Sequence, residues 1–222
     1  GLSVEAKGRA GARHRFWGAH HPTNKDPRGL LEISIMSIVT TINADHEISE
    51  AKLTGLGLYA TAAEAYEMWK VDPERVKILD VRMVEEYVFV GHAAMAHNIP
   101  VAFPKYEWHG DKRKYGFEMN PDFVDHVKEL FKPEDTIAAM CRSGGRSAFS
   151  INMLAKAGFS NVYNIIDGFE GDTVSEPESV YHGKRMKNGW KNSAPWTYDL
   201  DPALVWIPTG EELDTLRTTL DI

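Results

Sequence analysis

The feature that most constrains the fold is a buried-strand pattern that runs into a polar loop and then into a helix. The apolar run Ile137–Met140 predicts a strand, and residues 148–155 place apolar side chains at helical spacing. The loop between them contains the only cysteine of the chain. Its residues are Cys141, Arg142, Ser143, Gly144, Gly145, Arg146 and Ser147. A strand, loop and helix in this order are typical of α/β folds with a parallel sheet.

This loop has the composition of a site that holds a thiolate. Successive backbone N–H groups at a helix start form a cradle for an anion, and the guanidinium groups of Arg142 and Arg146 add positive charge. Both influences favour the ionised form of a cysteine. A buried, inert cysteine is the alternative interpretation, but an apolar pocket would not contain two arginines. We therefore expect Cys141 to be a nucleophile.

Composition and charge exclude several classes of function. The formal net charge of −7 gives no reason to expect nucleic-acid binding. A single cysteine excludes an intramolecular disulfide and a cysteine-cluster zinc site, and we expect neither a metal nor a cofactor. The most apolar stretch, residues 30–39, is shorter than the roughly 18 residues of a membrane span and is interrupted by Glu32. The compartment stays open, with the cytoplasm as the default and the periplasm as the alternative.

The sequence divides into three predicted parts. Residues 1–57 form an N-terminal extension that is partly disordered or extraneous, with Met36 as an alternative start. The principal domain spans residues 58–200 and includes a polar, aromatic insertion at 101–119 and a tryptophan-bearing arm from about residue 172. Residues 201–222 form a C-terminal segment with a short helix. Within the extension, the pattern predicts a strand at 33–41 and a short helix around 47–52.

Strands alternate with helices through the principal domain. A capping box at Thr61 and Glu64 opens a helix, Asn120 is the predicted N-cap of another, and Ser147 is the predicted cap of the helix after the cysteine loop. The predicted strands are residues 76–81, 95–99, 136–140 and 162–166. Such alternation predicts a mainly parallel sheet covered on both faces. Ligands bind such sheets at the carboxyl ends of strands, where Cys141 lies.

Four patches, in order along the chain, resemble the rhodanese-like family of sulfurtransferases, and the resemblance extends over residues 58–200. They are Leu79–Arg82 with Glu86 and Tyr87; Gly91 and His92 with Asn98–Pro100; Cys141–Ser147; and Val162–Ile165 with Asp167 and Gly168. Each patch is weak alone, but the ordered set is specific. The resemblance implies a three-layer α/β/α domain around a mainly parallel, five-stranded sheet. Because no second copy of the patches is present, the chain resembles single-domain members.

The resemblance also implies a reaction, that of a thiosulfate sulfurtransferase. A small sulfur anion such as thiosulfate, or a persulfide, gives its sulfane sulfur to Cys141 and leaves a cysteine persulfide. An acceptor, which is cyanide, a thiol or a carrier protein, then removes this sulfur. No nucleic acid is implied as a partner.

Roles for individual residues follow from the same resemblance. Cys141 is the nucleophile, and Arg146 braces the loop and offers charge to the sulfonate end of the donor. The remaining loop residues, Arg142, Ser143, Gly144, Gly145 and Ser147, bind the persulfide through their amides, and Arg142 also attracts a dianionic donor. Asp80 and Arg82 are expected to form an ion pair that supports the pocket, in preference to a catalytic role. His92 and Asn98 are expected to be structural.

Two other functions are alternatives to this one. A cysteine-dependent phosphatase needs five residues between its cysteine and arginine, whereas four separate Cys141 from Arg146, which suits a single sulfur atom. A rhodanese-like module for sulfur carriage or protein binding, with little turnover, is the other alternative. The aromatic side chains of the insertion and the arm would then form a partner surface or a lid. We expect them to pack on the core instead.

Overall fold

The computed structural model describes residues 47–208. The predictions for the N-terminal tail, for the strand at 33–41 and for a helix after Thr209 lie outside the described residues. The short helix predicted around 47–52 is a 3-10 turn, Glu50–Lys52. No helix within the described part of the chain is long and apolar enough to cross a membrane.

Seven strands and five α-helices follow one another in the described residues. The strands are β1 (Tyr59–Ala60), β2 (Val76–Asp80), β3 (His97–Asn98), β4 (Ala102–His109), β5 (Lys114–Met119), β6 (Thr136–Met140) and β7 (Val162–Ile165). The helices are α1 (Ala62–Val71), α2 (Val84–Val90), α3 (Phe123–Leu130), α4 (Gly145–Lys156) and α5 (Trp190–Ser193). A second 3-10 turn, Gly110–Lys112, joins β4 to β5.

The central sheet has five strands in the order β1-β7-β6-β2-β3, and every neighbouring pair is parallel. Strand β6 is buried along its whole length. Its residues alternate between two apolar clusters, with Ala138 and Met140 in one and Ile137 and Ala139 in the other. This two-residue period places one set of side chains on each face of the sheet.

The two clusters correspond to two layers of helices. Buried residues of α1, α2 and α5 belong to the first cluster, and they include Met68, Tyr87 and Trp190. Buried residues of α3 and α4 belong to the second, among them Phe123 and Leu154. The three-layer α/β/α architecture with a parallel five-stranded sheet, predicted from the sequence, is therefore confirmed.

The predicted cap of α1 is confirmed, whereas that of α3 is wrong. The capping box of α1 is present, because the Glu64 N–H donates to Thr61 Oγ1 (3.2 Å) and the Thr61 N–H donates to Glu64 Oε2 (2.7 Å). The N-cap of α3, however, is Asp122 and not Asn120. Asn120 is buried and closes the preceding turn, where its Oδ1 accepts from the Asp122 N–H and its Nδ2 donates to the Pro100 carbonyl.

The cap predicted for α4 was wrong as well. This helix begins at Gly145 with Gly144 as N-cap, so Ser147 lies in the first turn. Gly144 has a left-handed backbone conformation (φ 96°), which glycine adopts without steric cost. Ser147 is fully buried and its hydroxyl donates to Asn164 Oδ1 at 2.7 Å. The side chain is therefore committed to β7 and not to its own helix start.

The insertion at 101–119 is a β-hairpin that lies outside the central sheet. Strands β4 and β5 pair antiparallel, with an irregularity between Lys105 and Trp108. Its aromatic side chains are mostly exposed and contact one another, as Trp108 and Tyr115 do at 5.3 Å between ring centroids. The prediction that these aromatics pack on the core is wrong for the hairpin.

The same prediction holds for the tryptophans of the C-terminal arm. Trp190 is fully buried in the first apolar cluster, and Trp196 packs against that cluster. Trp206 is half-buried and contacts Phe103 at the root of the hairpin, with 5.2 Å between centroids. The arm therefore covers the core and reaches the hairpin.

Candidate active site

Cys141 lies directly after β6, at the carboxyl end of the parallel sheet. The neighbouring strand β2 ends at Asp80, which pairs in register with Met140. Cys141 is 2% exposed. The sheet therefore brings the cysteine, the loop that follows it and the Asp80 carboxylate to one edge, as the sequence predicted from strand placement.

The sulfur is contacted by two polar groups. The Gly144 N–H donates to Sγ at 3.2 Å. Ser147 Oγ lies 3.7 Å from Sγ, while its proton is engaged in the shorter bond to Asn164. The N–H groups of Gly145, Arg146 and Ser147 belong to the first turn of α4 and have no acceptor within the helix. The site therefore offers several N–H donors to an anion at the helix start.

The loop is fixed by close backbone contact with the segment after β7. The Phe169 N–H donates to the Cys141 carbonyl (2.8 Å) and the Glu170 N–H to the Arg142 carbonyl (3.0 Å). Gly168 permits this approach, because a Cβ there would lie 2.5 Å from the Cys141 carbonyl oxygen. At Gly144 a Cβ would lie 2.4 Å from the Ile166 carbonyl oxygen. Both glycines also have positive φ, so side chains are excluded on two grounds.

Asn164, on β7, holds the start of α4. Its Oδ1 accepts from the Ser147 hydroxyl, and its Nδ2 donates to the carbonyls of Gly144 (3.0 Å) and Lys52 (2.9 Å). The side chain is fully buried in β7. Both ends of its amide are paired, as burial of a polar residue requires. The N-cap of α4 is thereby tied to the strand beside it.

Arg146 is held by a carboxylate that sequence reasoning did not select. Its Nη1 and Nη2 donate to the two oxygens of Glu86, at 2.5 and 2.6 Å. Burial alone would raise the pKa of Glu86, but the hydrogen bonds and charge of Arg146 outweigh burial and hold that pKa below its usual value of 4.5. The pair therefore remains ionised at neutral pH. It ties the first turn of α4 to α2 and balances the charge of Arg146.

Arg142 differs from Arg146 in both exposure and pairing. It is exposed, and no residue between 47 and 208 forms an ion pair with it. Ser143 and Gly145 are half-buried beside it. The unbalanced positive charge of the loop is therefore that of Arg142.

The structure contains the predicted ion pair of Asp80 and Arg82. Arg82 Nη2 lies 2.6 Å from Asp80 Oδ2, Nε bonds the same carboxylate, and both side chains are fully buried. Arg82 also donates to the Gly91 carbonyl and lies over the Phe169 ring, 4.1 Å from its centroid. Because Phe169 binds the Cys141 carbonyl through its N–H, the pair supports the segment that holds the loop.

His92 and Asn98 both have structural partners. The ring nitrogens of His92 lie 3.1 Å from the Tyr87 carbonyl and 3.2 Å from the Asp199 carbonyl. Asn98 Nδ2 donates to the carbonyls of Asp80 and Arg82. These contacts link the ends of β2 and β3 to the C-terminal arm.

Metal-ligating side chains do not cluster in the described residues. No group of three or more His, Cys, Asp or Glu between residues 47 and 208 is arranged to hold a metal ion.

Sequence reasoning missed three residues of the site, namely Glu86, Asn164 and Gly168. Each lies in a patch that was recognised but received no role. Two signals were present in the sequence. A partly buried arginine, as Arg146 is, needs a carboxylate partner. Glu86 is an acidic residue in the patch that also contains Arg82. A polar side chain in an otherwise apolar strand, as Asn164 is, needs buried hydrogen-bonding partners.

The first prediction concerns the buried ion pair. We expect Asp80→Ala to lower the free energy of unfolding by about 3–5 kcal/mol, because it leaves the Arg82 guanidinium buried without a counter-charge. The control is Lys128→Ala, which removes an exposed pair with Asp125 and should cost at most about 1 kcal/mol. Urea unfolding measures both. Equal costs for the two variants would contradict the supporting role of the pair.

The second prediction concerns the glycine that touches the cysteine loop. We expect Gly168→Ala to destabilise the protein and to speed alkylation of Cys141 by iodoacetamide, because the new Cβ displaces the loop that buries the sulfur. Gly183→Ala is the matched control, since Gly183 also has positive φ but no atom lies within 4 Å of the place a Cβ would occupy. It should cost about 1 kcal/mol for its backbone conformation and leave alkylation unchanged. Similar alkylation rates in both variants would refute the interpretation.

The chain is similar to several known proteins. A family model described as "Rhodanese-like domain" matches residues 61–173, just over half of the chain. An uncharacterized protein of Rickettsia conorii is 29% identical over 140 residues, which are 62% of this chain and 94% of that protein. Thiosulfate sulfurtransferase 16 of Arabidopsis thaliana is 37% identical over 93 residues, which are 42% of this chain and 70% of the relative.

Among solved structures, Rv0390 from M. tuberculosis has 26% sequence identity and a TM-score of 0.48, and the match covers 64% of this chain and 99% of that one. The family match contains the whole Cys141–Ser147 loop, Asp80, Arg82, Glu86, Asn164 and Gly168. On this match the chain belongs to the rhodanese-like domain family.

Proposed function

We propose that this protein is a thiosulfate sulfurtransferase that carries a sulfane sulfur as a persulfide on Cys141. The observation that supports the proposal most directly is the environment of Sγ. A buried sulfur at the end of a parallel strand receives the Gly144 N–H and lies at the start of a helix whose first N–H groups have no acceptor within the helix. The relative named thiosulfate sulfurtransferase 16 supports the choice of donor.

The proposed reaction has two half-reactions. In the first, the Cys141 thiolate attacks the outer sulfur of thiosulfate, the S–S bond of thiosulfate breaks, and sulfite leaves with the electron pair. In the second, an acceptor nucleophile attacks the outer sulfur of the persulfide, and Cys141 leaves as a thiolate. The sulfane sulfur is passed on without any external oxidant or reductant. Such a sequence is a ping-pong transfer through a covalent intermediate.

The N–H donors of the loop would hold the negative charge of the persulfide. The Gly144 N–H already contacts Sγ, and those of Gly145, Arg146 and Ser147 lie in the following turn. Fixed donors of this kind stabilise charge without reorganising during the reaction.

We assign recognition of the dianionic donor to Arg142. Its exposed guanidinium has no carboxylate partner within residues 47–208, whereas Arg146 is neutralised by Glu86. Arg146 would then position the loop and contribute its backbone N–H. The sulfonate end of thiosulfate would meet Arg142 first, as an exposed charge that steers an anion toward the site.

A sulfur-carrier or protein-binding module is the second candidate. The observation that favours it is the hairpin, whose exposed aromatic side chains resemble an interaction surface. Carriage and catalysis share the persulfide and differ in turnover. A phosphatase is disfavoured, because Arg146 is paired with Glu86 and the loop is one residue shorter than a phosphatase needs.

The third prediction tests the persulfide itself. After incubation with thiosulfate and desalting, intact mass spectrometry should show a gain of one sulfur atom, and addition of cyanide should remove it as thiocyanate. Cys141→Ser should show neither change, since it lacks the nucleophile. Loading without repeated thiocyanate formation would favour the carrier. No loading of the wild-type protein would refute the proposed function.

The fourth prediction separates the two arginines of the loop. We expect Arg142→Ala to raise the KM for thiosulfate about three- to tenfold with little change in kcat, because it removes an exposed charge that attracts the donor; added salt should weaken this difference. Arg142→Lys keeps the charge and should stay close to wild type.

Arg146→Ala is the comparison variant for this prediction. It leaves Glu86 without its partner, so we expect it to lower stability and kcat more than it raises KM. If Arg142→Ala leaves KM unchanged and Arg146→Ala raises it, the donor is recognised by Arg146.

A further inference from the structure

A shallow groove of about 210 Å³ adjoins the cysteine loop. One wall is the root of the β4–β5 hairpin and the other is the first two turns of α4. The lining residues are Val101, Ala102, Phe117, Met119, Gly145, Arg146 and Phe149. All of them except Arg146 are apolar or glycine. The sulfur transfer described above gives no role to the apolar side chains of this groove.

The groove is continuous with the site of sulfur transfer. Gly145 and Arg146 belong both to the groove and to the loop that begins at Cys141. Gly145 is the first residue of α4, and its neighbour Gly144 donates its N–H to the sulfur. A molecule in the groove would therefore lie beside the residues that hold the sulfur.

The groove has no unpaired charge that would attract an ion. Its single charged side chain, Arg146, is paired with both oxygens of Glu86. The guanidinium also lies over the ring of Phe117, 5.8 Å from the centroid. The groove thus has no unbalanced charge to offer an anion, in contrast to the exposed Arg142 on the loop.

The apolar side chains of the groove are unusually exposed for their size. Phe117 is 52%, Met119 is 44% and Phe149 is 51% exposed. Covering apolar surface is favourable by about 25 cal/mol per Å². The volume is below the roughly 300–1,000 Å³ of pockets for drug-sized ligands, so it suits one aromatic ring or a short alkyl chain.

We propose that this groove is the acceptor subsite, which takes the uncharged aromatic or alkyl arm of a small thiol whose sulfur then reaches Cys141. The inference rests on the proposed function. The donor and the acceptor would enter by different chemistry, with an anion drawn by Arg142 and an apolar arm received between Phe117 and Phe149.

The step is a transfer between sulfur atoms. The acceptor thiolate attacks the outer sulfur of the Cys141 persulfide, and a new S–S bond forms between acceptor and transferred sulfur. The bond between Sγ and the transferred sulfur breaks, and Cys141 leaves as a thiolate. The product is the persulfide of the acceptor, and the proton of the acceptor thiol goes to solvent.

The kinetic experiment compares two thiols of similar basicity on protein already loaded with sulfur. One is 2-phenylethanethiol, which carries an uncharged ring, and the other is 3-mercaptopropionate, which carries a carboxylate. After rapid quenching, intact mass spectrometry gives the rate constant for loss of sulfur from Cys141. The ratio of the two rate constants measures the preference for an apolar arm.

Two variants each remove an aromatic side chain from one wall of the groove. Phe149→Ala changes α4 and Phe117→Ala changes the hairpin, and each should lower the ratio about three- to tenfold, chiefly by lowering the rate constant for 2-phenylethanethiol. Tyr106→Ala is the matched control, because Tyr106 is 80% exposed on the same hairpin and does not line the groove. It should keep the wild-type ratio. An unchanged ratio in both groove variants overturns the proposal.

A binding measurement separates this proposal from the proposed function. The non-reactive alcohol 2-phenylethanol should shift the methyl resonance of Met119 in the unloaded protein, and Phe149→Ala should weaken that shift. If thiosulfate loads no sulfur but the alcohol still binds, the sulfurtransferase function fails and the apolar subsite stands. If sulfur is loaded and discharged but the alcohol leaves Met119 unaffected, the subsite is refuted. Dimerisation through the groove in place of alcohol binding would refute it as well.

Discussion

The backbone contact between the cysteine loop and the segment after β7 is the interaction on which the site depends. Two N–H groups, of Phe169 and Glu170, donate to the carbonyl oxygens of Cys141 and Arg142. With those acceptors occupied, the polar backbone groups left at the start of α4 are donors. Two glycines, Gly144 and Gly168, make the approach possible because neither position has room for a Cβ. The anion cradle is therefore a property of two segments and not of the cysteine loop alone.

Charge is distributed around this cradle in a way that leaves one arginine unpaired among the described residues. Arg82 is neutralised by Asp80 in the core, and Arg146 is neutralised by Glu86 at the edge. Breaking the fully buried Asp80–Arg82 pair would cost several kcal/mol, whereas an exposed charge contributes little to stability. The paired arginines are therefore tied to structure, and Arg142 remains available for a ligand. The two guanidinium groups within five residues of the cysteine thus differ in pairing and exposure.

Local patterns in the sequence were sufficient for the sheet and for the position of Cys141. Alternating strand and helix patterns predicted the parallel sheet, and the Leu79–Arg82 patch predicted the ion pair that the structure contains. The cap of α4 was misassigned, because a glycine in a left-handed conformation starts the helix three residues before Ser147. The spacing of apolar residues along the chain does not indicate this backbone conformation.

Contacts between distant parts of the chain were not accessible in the same way. Glu86 and Arg146 are 60 residues apart, and their meeting depends on how α2 and α4 are placed around the sheet. The prediction that the aromatic side chains of the hairpin pack on the core was wrong for a related reason. Aromatic residues in an insertion ordinarily bury themselves, and nothing in residues 101–119 indicates that β4 and β5 would pair only with each other.

The hairpin is nevertheless fixed where it meets the site. The Asn120 N–H donates to the Val101 carbonyl, Asn120 Nδ2 donates to the Pro100 carbonyl, and Ala102 is buried. These contacts anchor the root, and the exposed tip lies beyond them. An isolated two-stranded hairpin has marginal stability in water. The anchored root, which carries Met119 and lies next to Phe117, is therefore the part of the hairpin that is held most firmly. Sulfur chemistry would then reside on the sheet edge and acceptor selection on the hairpin root. The hairpin lies outside the central sheet, and it meets the cysteine loop where Phe117 lies under the Arg146 guanidinium.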